Sequence, residues 1–520
     1  MDQYSLISGD QNPMPRTAKT PEVPALGQLD REAGGLGRQL AHKLRQAVKR
    51  GDLQAGEILP STRALAKSLG VARGTVLEAF EQLIAEGFLE AEQGGSTRVA
   101  ASLADMPLVA ADARESKASA KPLPLPLPSA AFAQIARQFM PLPPVPFAVS
   151  VPAGAAAPGE VWRRLGNQIR ARGKGGPSGY GDPQGALPLR QAIAEYVRRS
   201  RSVRCDPAQV IVTTGTQQGL YLACLVLLGN EDYAWVENPA YWGITAILET
   251  LGPKGRMVRV PVDSEGLIVD EGLRLRPDAR AAFVTPSHQY PLGMPLSMAR
   301  RNALLTWART NAAWVVEDDY DSELRYAGHP FPALQGLDPD HVIYLGTFSK
   351  ILFPSLRLGY AIVPPRLVDA FCGARMLLDR HPPSADQHVL AAFIAEGHLD
   401  RHIRRIRGVY GECRSQLSQL FQDLLPSELA WLQPSDQGMH SVLWLAPGID
   451  DQAVSVQAAR AGVAVRPVSR MYAEGSERSG LILGLGAFTA DQIADAARRL
   501  ASIITAAAPT GRRRVRSTIR

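Results

Sequence analysis

Cysteine is scarce in this chain, and its spacing excludes two common uses of the residue. The 520 residues contain only Cys205, Cys224, Cys372 and Cys413. No pair has the C-x-x-C spacing of a zinc or redox motif, and four scattered thiols do not make a disulfide framework. The sequence therefore predicts no metal site and a reducing compartment, the cytoplasm.

Long apolar runs are missing as well. The longest candidate, Tyr221 to Leu228, is far shorter than the roughly 18 residues that a membrane helix needs. The N-terminus carries Asp2 and Asp10 and has no apolar segment typical of a secretory signal. We therefore expect no membrane partner.

The basic excess is local. The net charge is +7, but a C-terminal tail holds five arginines, Arg512, Arg513, Arg514, Arg516 and Arg520. Such a tail is typical of a solvated segment or of non-specific contact with nucleic acid. Bulk charge alone does not indicate a DNA-binding protein.

Proline and glycine divide the chain into segments. Alternating proline in Lys121–Pro128 forbids a helix and favours an extended connector. The predicted segments, in order, are a disordered tail (1–32), a compact helical module (33–100), a Pro/Ala-rich linker (101–146), a large domain (147–505) and a basic tail (506–520).

In the large domain, strand-like runs alternate with helical ones. This alternation predicts an α/β fold with a mostly parallel sheet covered by helices on both faces. The runs are Val210–Thr213, Tyr233–Val236, Ala282–Thr285, Trp314–Glu317 and Val342–Leu345.

The N-terminal module has the spacing of a helix-turn-helix. One helix begins after Ser61 and ends at Gly70, and a second begins near Arg73. The second helix would enter the major groove with Arg73, Gly74 and Thr75 leading. Ser61 and Arg63 would contact phosphates from the preceding helix.

This module resembles the winged helix-turn-helix of the GntR regulators. The resemblance lies in Gly56–Ala66, Leu69–Val76 and Ala79–Leu89. It implies operator contacts at Arg63, Arg73, Gly74 and Thr75, and at a hairpin wing near Gly94. Ala72 is a departure, because the family more often has a hydroxyl residue there.

Lys350, in Thr347-Phe-Ser-Lys350, is a candidate for Schiff-base chemistry with pyridoxal 5'-phosphate. Such a cofactor needs a carboxylate at its ring nitrogen, a donor at its ring hydroxyl and a phosphate cradle. The candidates are Asp318 for the nitrogen, Tyr320 for the hydroxyl, Tyr241 over the ring, and Gly215, Thr216, Thr347, Ser349 and Arg357 for the phosphate.

The order of these motifs resembles the fold-type I pyridoxal phosphate enzymes, and more narrowly the MocR subfamily, which fuses a GntR winged helix to an aminotransferase-like domain. The motifs are Glu317–Glu323, Pro286–Gly293 and Gly346–Lys350. The resemblance implies the roles just given. It also implies a head-to-tail homodimer in which Tyr180 reaches the phosphate of the neighbouring subunit.

Two departures bear on function. Tyr290 stands before Pro291, where aminotransferases carry an asparagine. Leu481–Gly486 contains no arginine, although it occupies the region where these enzymes place the arginine that binds the substrate carboxylate. The nearby alternatives Arg466, Arg470 and Arg478 cannot be separated by sequence.

The sequence thus predicts a transcriptional regulator that binds double-stranded DNA and senses an amine, an amino acid or the cofactor itself. Without a positioned carboxylate clamp, turnover would suffer while binding still signals. The alternative is an active aminotransferase with an accessory DNA-binding domain, and a third hypothesis is a scaffold that binds no cofactor.

Overall fold

The computed structural model describes residues 26–91, 95–104, 126–138, 140–149, 151–152, 158–173, 179–251, 256–326, 328–475, 477–486 and 488–509. The chain divides into two compact units, Met1–Pro124 and Leu125–Arg520. In the part of the chain so described, none of the helices has the length and apolar character to span a membrane.

The first unit contains three helices followed by an antiparallel pair of strands. Their bounds are α1 Leu36–Arg50, α2 Thr62–Leu69, α3 Arg73–Ala85, β1 Leu89–Ala91 and β2 Thr97–Val99. Leu40 and Leu44 of α1 are buried against Val76 and Phe80 of α3 in one core cluster. The predicted helix-turn-helix and hairpin are therefore present.

Local chemistry explains the bounds of α2. The Ser61 hydroxyl oxygen accepts a hydrogen bond from the Ala64 amide at 3.3 Å, which satisfies an unpaired donor at the helix start. Gly70 ends the helix with φ of 62°, a left-handed conformation that glycine adopts at little cost.

The predicted disordered tail is wrong for its last residues. Leu26 and Leu29 pack against the core of the first unit, and Arg31 Nη2 donates to the Gly70 carbonyl at 2.7 Å. The segment was predicted to be disordered from its polar composition, and the apolar surface that these two leucines contact exists only in the folded unit. Residues 1–25 lie outside the described part of the chain.

The predicted linker also needs a correction, because it contains the helix α4, Leu127–Gln138. Pro128 is compatible with this helix because it lies in the first turn, where the amide it lacks would have no helical acceptor. Residues 105–125, including most of the alternating proline run, lie outside the described residues, so the extended connector remains a prediction there.

The second unit is built on an eight-stranded sheet. Its order is β3-β10-β9-β8-β7-β4-β5-β6, with parallel pairing from β9 through β8, β7 and β4 to β5 and antiparallel pairing at both edges. The strands are β3 Val210–Thr213, β4 Ala234–Asn238, β5 Met257–Asp263, β6 Gly266–Leu267, β7 Ala281–Val284, β8 Trp314–Asp319, β9 Val342–Thr347 and β10 Gly359–Ile362. The predicted α/β fold with a mostly parallel sheet is confirmed.

Helices cover this sheet and a smaller C-terminal one. They are α5 Gly159–Ala171, α6 Leu187–Arg201, α7 Thr216–Leu227, α8 Trp242–Leu251, α9 Val269–Leu275, α10 Met298–Thr310, α11 Leu334–Leu337, α12 Val368–Leu378, α13 Ala385–Ala395, α14 His398–Leu424, α15 Asp451–Arg460 and α16 Ala490–Ala506. The small antiparallel sheet, in order β11-β12-β14-β13, comprises β11 Ala430–Leu432, β12 His440–Leu445, β13 Arg466–Pro467 and β14 Gly480–Gly484. Helix α4 packs against α8.

Candidate functional site

The predicted cofactor residues converge at the carboxyl ends of β3, β8 and β9. Asp318 lies near the end of β8, Lys350 follows β9 by three residues, and Gly215 joins β3 to α7. Parallel strands that end at one edge leave a crevice there, the usual place for a ligand in an open α/β sheet.

Asp318 is buried, and one of its two carboxylate oxygens is unpaired within the described part of the chain. Its Oδ1 has no hydrogen-bond partner among the described residues, while the Thr216 hydroxyl donates to its carboxylate. Burial raises the pKa of Asp318 to about 7, the negative charge of Asp319 adds to this, and Lys350 opposes it. A protonated ring nitrogen would satisfy the unpaired oxygen.

Lys350 carries an amine that loses its proton more easily than an ordinary lysine. Burial lowers the pKa of Lys350 to about 8, against the charges of Asp318 and Asp321, which raise it. The charges of Arg357 and Arg466 lower it further. A nucleophilic lysine needs a deprotonated amine near neutral pH.

The residues predicted to bind the cofactor phosphate lie around the turn between β3 and α7. Gly215, at the N-terminal cap of α7, has φ of 92° and ψ of 172°, a conformation essentially restricted to glycine. The Thr347 hydroxyl accepts from the Ser349 amide at 3.1 Å. The buried Ser349 Oγ has no hydrogen-bond partner among the described residues. Arg357 Nη2 donates to the Thr214 carbonyl at 2.5 Å, so the guanidinium lies beside this turn.

Three tyrosines line the crevice. The ring of Tyr290 stands edge-on to Tyr241 at 5.6 Å and to Tyr320 at 5.7 Å. The Tyr241 hydroxyl donates to Gln217 Oε1 at 3.0 Å, and the Tyr320 hydroxyl donates to the His288 carbonyl at 3.0 Å. Tyr290, at the position of the enzymes' asparagine, therefore packs between the two predicted cofactor tyrosines.

Sequence reasoning missed a buried polar group behind Tyr320. His288 Nδ1 lies 3.0 Å from both an Asp321 carboxylate oxygen and the Tyr320 hydroxyl. His440 stacks near these rings, and its Nε2 lies 2.9 Å from the Pro291 carbonyl. His288 and Asp321 lie inside motifs already recognised, so their position next to a strand end was the available signal.

Glu237 was missed too, although it directly follows the predicted strand run Tyr233–Val236. Its carboxylate accepts from the Thr285 hydroxyl at 2.6 Å and from Gln289 Nε2 at 3.3 Å. Burial raises the pKa of Glu237 to about 7. Glu237 thus joins the loops after β4 and β7, which carry Tyr241 and Tyr290.

Tyr180 is separate from this group in the chain. Its side chain is 80 % exposed and contacts Arg380, whose guanidinium lies 4.9 Å from the ring centre. Among the described residues, its ring contacts are with Arg380 and His381 and not with the other predicted cofactor residues. Its exposure leaves the hydroxyl available to another molecule.

The predicted DNA contacts lie at the start of α3 and around α2. Arg63, Arg73 and Gly74 are exposed, Thr75 is half-buried, and Arg73 Nε donates to the Thr62 hydroxyl at 3.3 Å. A Cβ on Gly74 would meet nothing within 4 Å, so the surface there is open. Gly94 lies outside the described residues, and the wing is seen only through β1 and β2.

Comparisons with known proteins match both units of the chain. Residues 145–500 match the family described as aminotransferase class I and II, and residues 36–99 match the gntR family of bacterial regulatory proteins. The chain is 39 % identical to the probable rhizopine catabolism regulatory protein MocR of Rhizobium meliloti, covering 88 % of this chain and 91 % of that one. It is 34 % identical to the pyridoxine biosynthesis regulator PdxR of Corynebacterium glutamicum, covering 88 % and 93 %.

A solved structure supports the fold of the large unit. The α-aminoadipate aminotransferase LysN of Thermus thermophilus, complexed with a phosphopyridoxyl-leucine, aligns with a TM-score of 0.64 at 28 % identity, covering 69 % of this chain and 92 % of that one. The unpaired Asp318 and Ser349 oxygens and the Gly215 turn fit pyridoxal 5'-phosphate. The chain therefore belongs to the MocR-type transcriptional regulators, which join a GntR DNA-binding domain to an aminotransferase-like domain that uses this cofactor.

Proposed function

We propose that the protein is a cytoplasmic regulator whose cofactor-bound large unit senses an amino compound or pyridoxal phosphate itself and alters operator binding. The observation that carries this proposal is the presence on one chain of an exposed recognition helix and a buried lysine–carboxylate site with unsatisfied oxygens. The relative named for pyridoxine biosynthesis supports the cofactor as one candidate effector.

Each residue of the site has a proposed task. Pyridoxal phosphate supplies an aldehyde that bonds reversibly to amines and a ring that withdraws electrons. Lys350 would hold the aldehyde, and Asp318 would pair with the ring nitrogen. The residues proposed to hold the remaining groups of the cofactor are Tyr320, Tyr241, Gly215, Thr216, Thr347, Ser349 and Arg357.

Sensing fits the site better than sustained turnover. Tyr290 replaces the asparagine of the enzymes, and the buried Ile482 in β14 lies within the segment that lacks the carboxylate arginine. A substrate held less firmly reaches the geometry for proton abstraction less often. Rapid conversion of the bound cofactor with release of a keto acid would instead favour the aminotransferase alternative.

Helix α4 provides a route from the site into the linker. It packs against α8, which begins directly after Tyr241, with a cavity of about 240 Å³ between them lined by Ala131, Ile135 and Thr245. A movement of Tyr241 on effector binding would reach α8 and then α4. Coupling of this kind requires that the effector bind two conformations of the protein with different affinities.

We propose a head-to-tail homodimer in which Tyr180 completes the partner's phosphate site. Its 80 % exposure, next to an exposed apolar end of α12 where Leu377 is 90 % exposed, supports an interface on this side of the unit. Exposed aromatic and aliphatic side chains are commonly covered by a partner.

The test combines cofactor spectra with operator binding. The purified protein should show the visible absorbance of bound pyridoxal phosphate, and Lys350→Ala should lack it. Candidate amines that alter this absorbance should also change the affinity for an operator fragment found by footprinting. The proposal would be contradicted if the wild-type protein stayed colourless with added cofactor. It would also be contradicted if neither the cofactor nor any amine changed the operator affinity.

A further inference from the structure

The segment Leu481–Gly486, which lacks the carboxylate arginine, includes Ile482 of β14, and an arginine lies directly across the small sheet from this residue. Strand β13 pairs with β14 in antiparallel register, with Arg466 opposite Ile482. Residues directly opposite in an antiparallel pair project from the same face. Arg466 therefore leaves the sheet on the same side as Ile482.

That face looks towards the cofactor crevice. Ile482 is fully buried in a cluster with Tyr290 and Tyr320, against which Tyr241 also packs. The neighbours of Ile482 along the strand, Leu481 and Leu483, belong to a different core cluster on the other face. The alternation fixes the direction in which Arg466 points.

The positive charge of Arg466 changes the pKa values of groups in the site. Burial raises the pKa of Tyr290 to about 12, and the positive charge of Arg466 is the largest influence against this rise. The same charge lowers the pKa of Lys350 and opposes the rise at Tyr241. Arg466 is half-buried, and no hydrogen bond or ion pair of its guanidinium is found among the described residues.

The two other arginines are engaged elsewhere. Arg470 is exposed, and its Nε donates to Gln452 Oε1 at 2.8 Å. Arg478 lies over the ring of Trp444 at 4.1 Å. Arg466, by contrast, lies on the face of Ile482, and its charge lowers the pKa of Lys350.

We infer that Arg466 binds the anionic group of the effector, in place of an arginine in the segment Leu481–Gly486, and that the effector is an amine carrying a carboxylate. A guanidinium forms two parallel hydrogen bonds to a carboxylate, and it does so best where water is partly excluded. This inference rests on the proposed function, because it assumes that the amine of the effector reaches the cofactor on Lys350.

The experiment compares pairs of probes that differ by one carboxylate. L-alanine is compared with ethylamine, and 5-aminopentanoate with pentylamine, by titrating the absorbance of cofactor bound to the full-length protein. The wild type should bind at least one carboxylate-bearing member more tightly than its neutral partner. Arg466→Ala should weaken that probe by about 10- to 100-fold, as expected for loss of a charged hydrogen-bonded pair, and should weaken the neutral amine much less.

Matched variants separate the clamp from general charge effects. Arg470→Ala and Arg478→Ala should retain the preference, Arg466→Lys should retain part of it, and Arg466→Ala combined with Ile482→Arg should restore it. A wild type with no preference in either pair, or a preference that survives Arg466→Ala, would overturn the inference. Cofactor absorbance in wild type and Arg466→Ala distinguishes these results from failure of the proposed function, since a colourless wild type would refute the latter.

Discussion

At the scale of single residues, the site combines buried acids with a buried base. Burial raises the pKa of Asp318 to about 7 and lowers that of Lys350 to about 8. The two charges stabilise each other, but desolvation disfavours both charged forms. A cationic ring nitrogen next to Asp318 would therefore stabilise the charged form of this carboxylate.

The first prediction concerns cofactor capture. Because the reacting amine must be neutral, the rate at which cofactor-free protein acquires the absorbance of bound pyridoxal phosphate should rise with pH and level off above about 8. Stopped-flow absorbance across a pH series measures it. In Asp318→Asn, removal of the charge that most raises the pKa of Lys350 should move the midpoint to lower pH. A midpoint near 10, that of an exposed lysine, would contradict the assignment.

The second prediction concerns stability. The pKa of Asp318 is raised to about 7 in the folded state, so between about pH 4 and 7 the folded protein binds more protons than the unfolded one. Its contribution to the free energy of unfolding falls as pH rises through this window. Cofactor-free Asp318→Asn should therefore be more stable than wild type at pH 8, by a few kcal/mol, and equal to it near pH 4.

Denaturant unfolding at both pH values measures this difference. Asp340→Asn, at an exposed position, is the matched control and should change stability little at either pH. Equal stability of wild type and Asp318→Asn at pH 8 would mean that the buried carboxyl carries no desolvation cost.

At the scale of elements, the start of α3 in the DNA-binding unit lacks a side-chain cap. Its N-terminal cap is Ala72, which offers no side-chain hydrogen bond, whereas α2 is capped by Ser61. A hydroxyl at position 72 would satisfy a free amide of the first turn.

The third prediction follows from this contrast. Ala72→Ser should raise the free energy of unfolding of the DNA-binding unit by about 1 kcal/mol, and it should also strengthen operator binding through an added phosphate contact. Ser61→Ala should lower stability by a similar amount. Urea unfolding followed by far-ultraviolet circular dichroism gives both values, and unchanged stability in Ala72→Ser would show that α3 is capped in another way.

The fourth prediction concerns the α4–α8 contact. Ile135 is half-buried between these helices, so Ile135→Ala should reduce the effector-dependent change in operator affinity while cofactor absorbance stays normal. Arg137→Ala, on an exposed position of α4, is the control and should behave like wild type. An undiminished response in Ile135→Ala would exclude this contact from the coupling.

At the scale of the whole molecule, the proposed function combines two subunits with DNA. If Tyr180 completes the partner's site, neither Tyr180→Ala nor Lys350→Ala alone forms an intact site. A mixed dimer of the two variants contains one site with both native residues. Refolding the two variants together should therefore restore cofactor binding of wild-type affinity in part of the population, as measured by absorbance titration. Mixing that restores none would contradict the shared site.

Operator recognition is tested at the same scale. Arg73→Ala should weaken operator binding by about 1–3 kcal/mol at fixed salt if Arg73 reads a base, measured by fluorescence anisotropy. Arg63→Ala should instead weaken specific and non-specific DNA alike and reduce the salt dependence. Unchanged affinity in Arg73→Ala would mean that α3 is not the recognition helix.

The sequence alone determined whatever depends on residues close together in the chain. The helix-turn-helix follows from Ser61, Gly70 and the apolar spacing of α3, because caps and periodicity are local. Lys350 and Asp318 were identifiable because each follows a strand whose apolar run marks where the sheet ends. The alternation of strands and helices then required a parallel sheet that brings those ends to one edge.

Only the tertiary structure decided which distant side chains meet. The contact of His288 with Asp321, the burial of Leu26 and Leu29, and the pairing of Arg466 with Ile482 join segments that no local pattern connects. Helix α4 formed within the predicted linker because α8 offers its apolar side a surface, and burial outweighs weak local preference. Three arginines were equivalent in the sequence, and the structure distinguishes them. Strand register places Arg466 on the face of Ile482, whereas Arg470 and Arg478 contact Gln452 and Trp444.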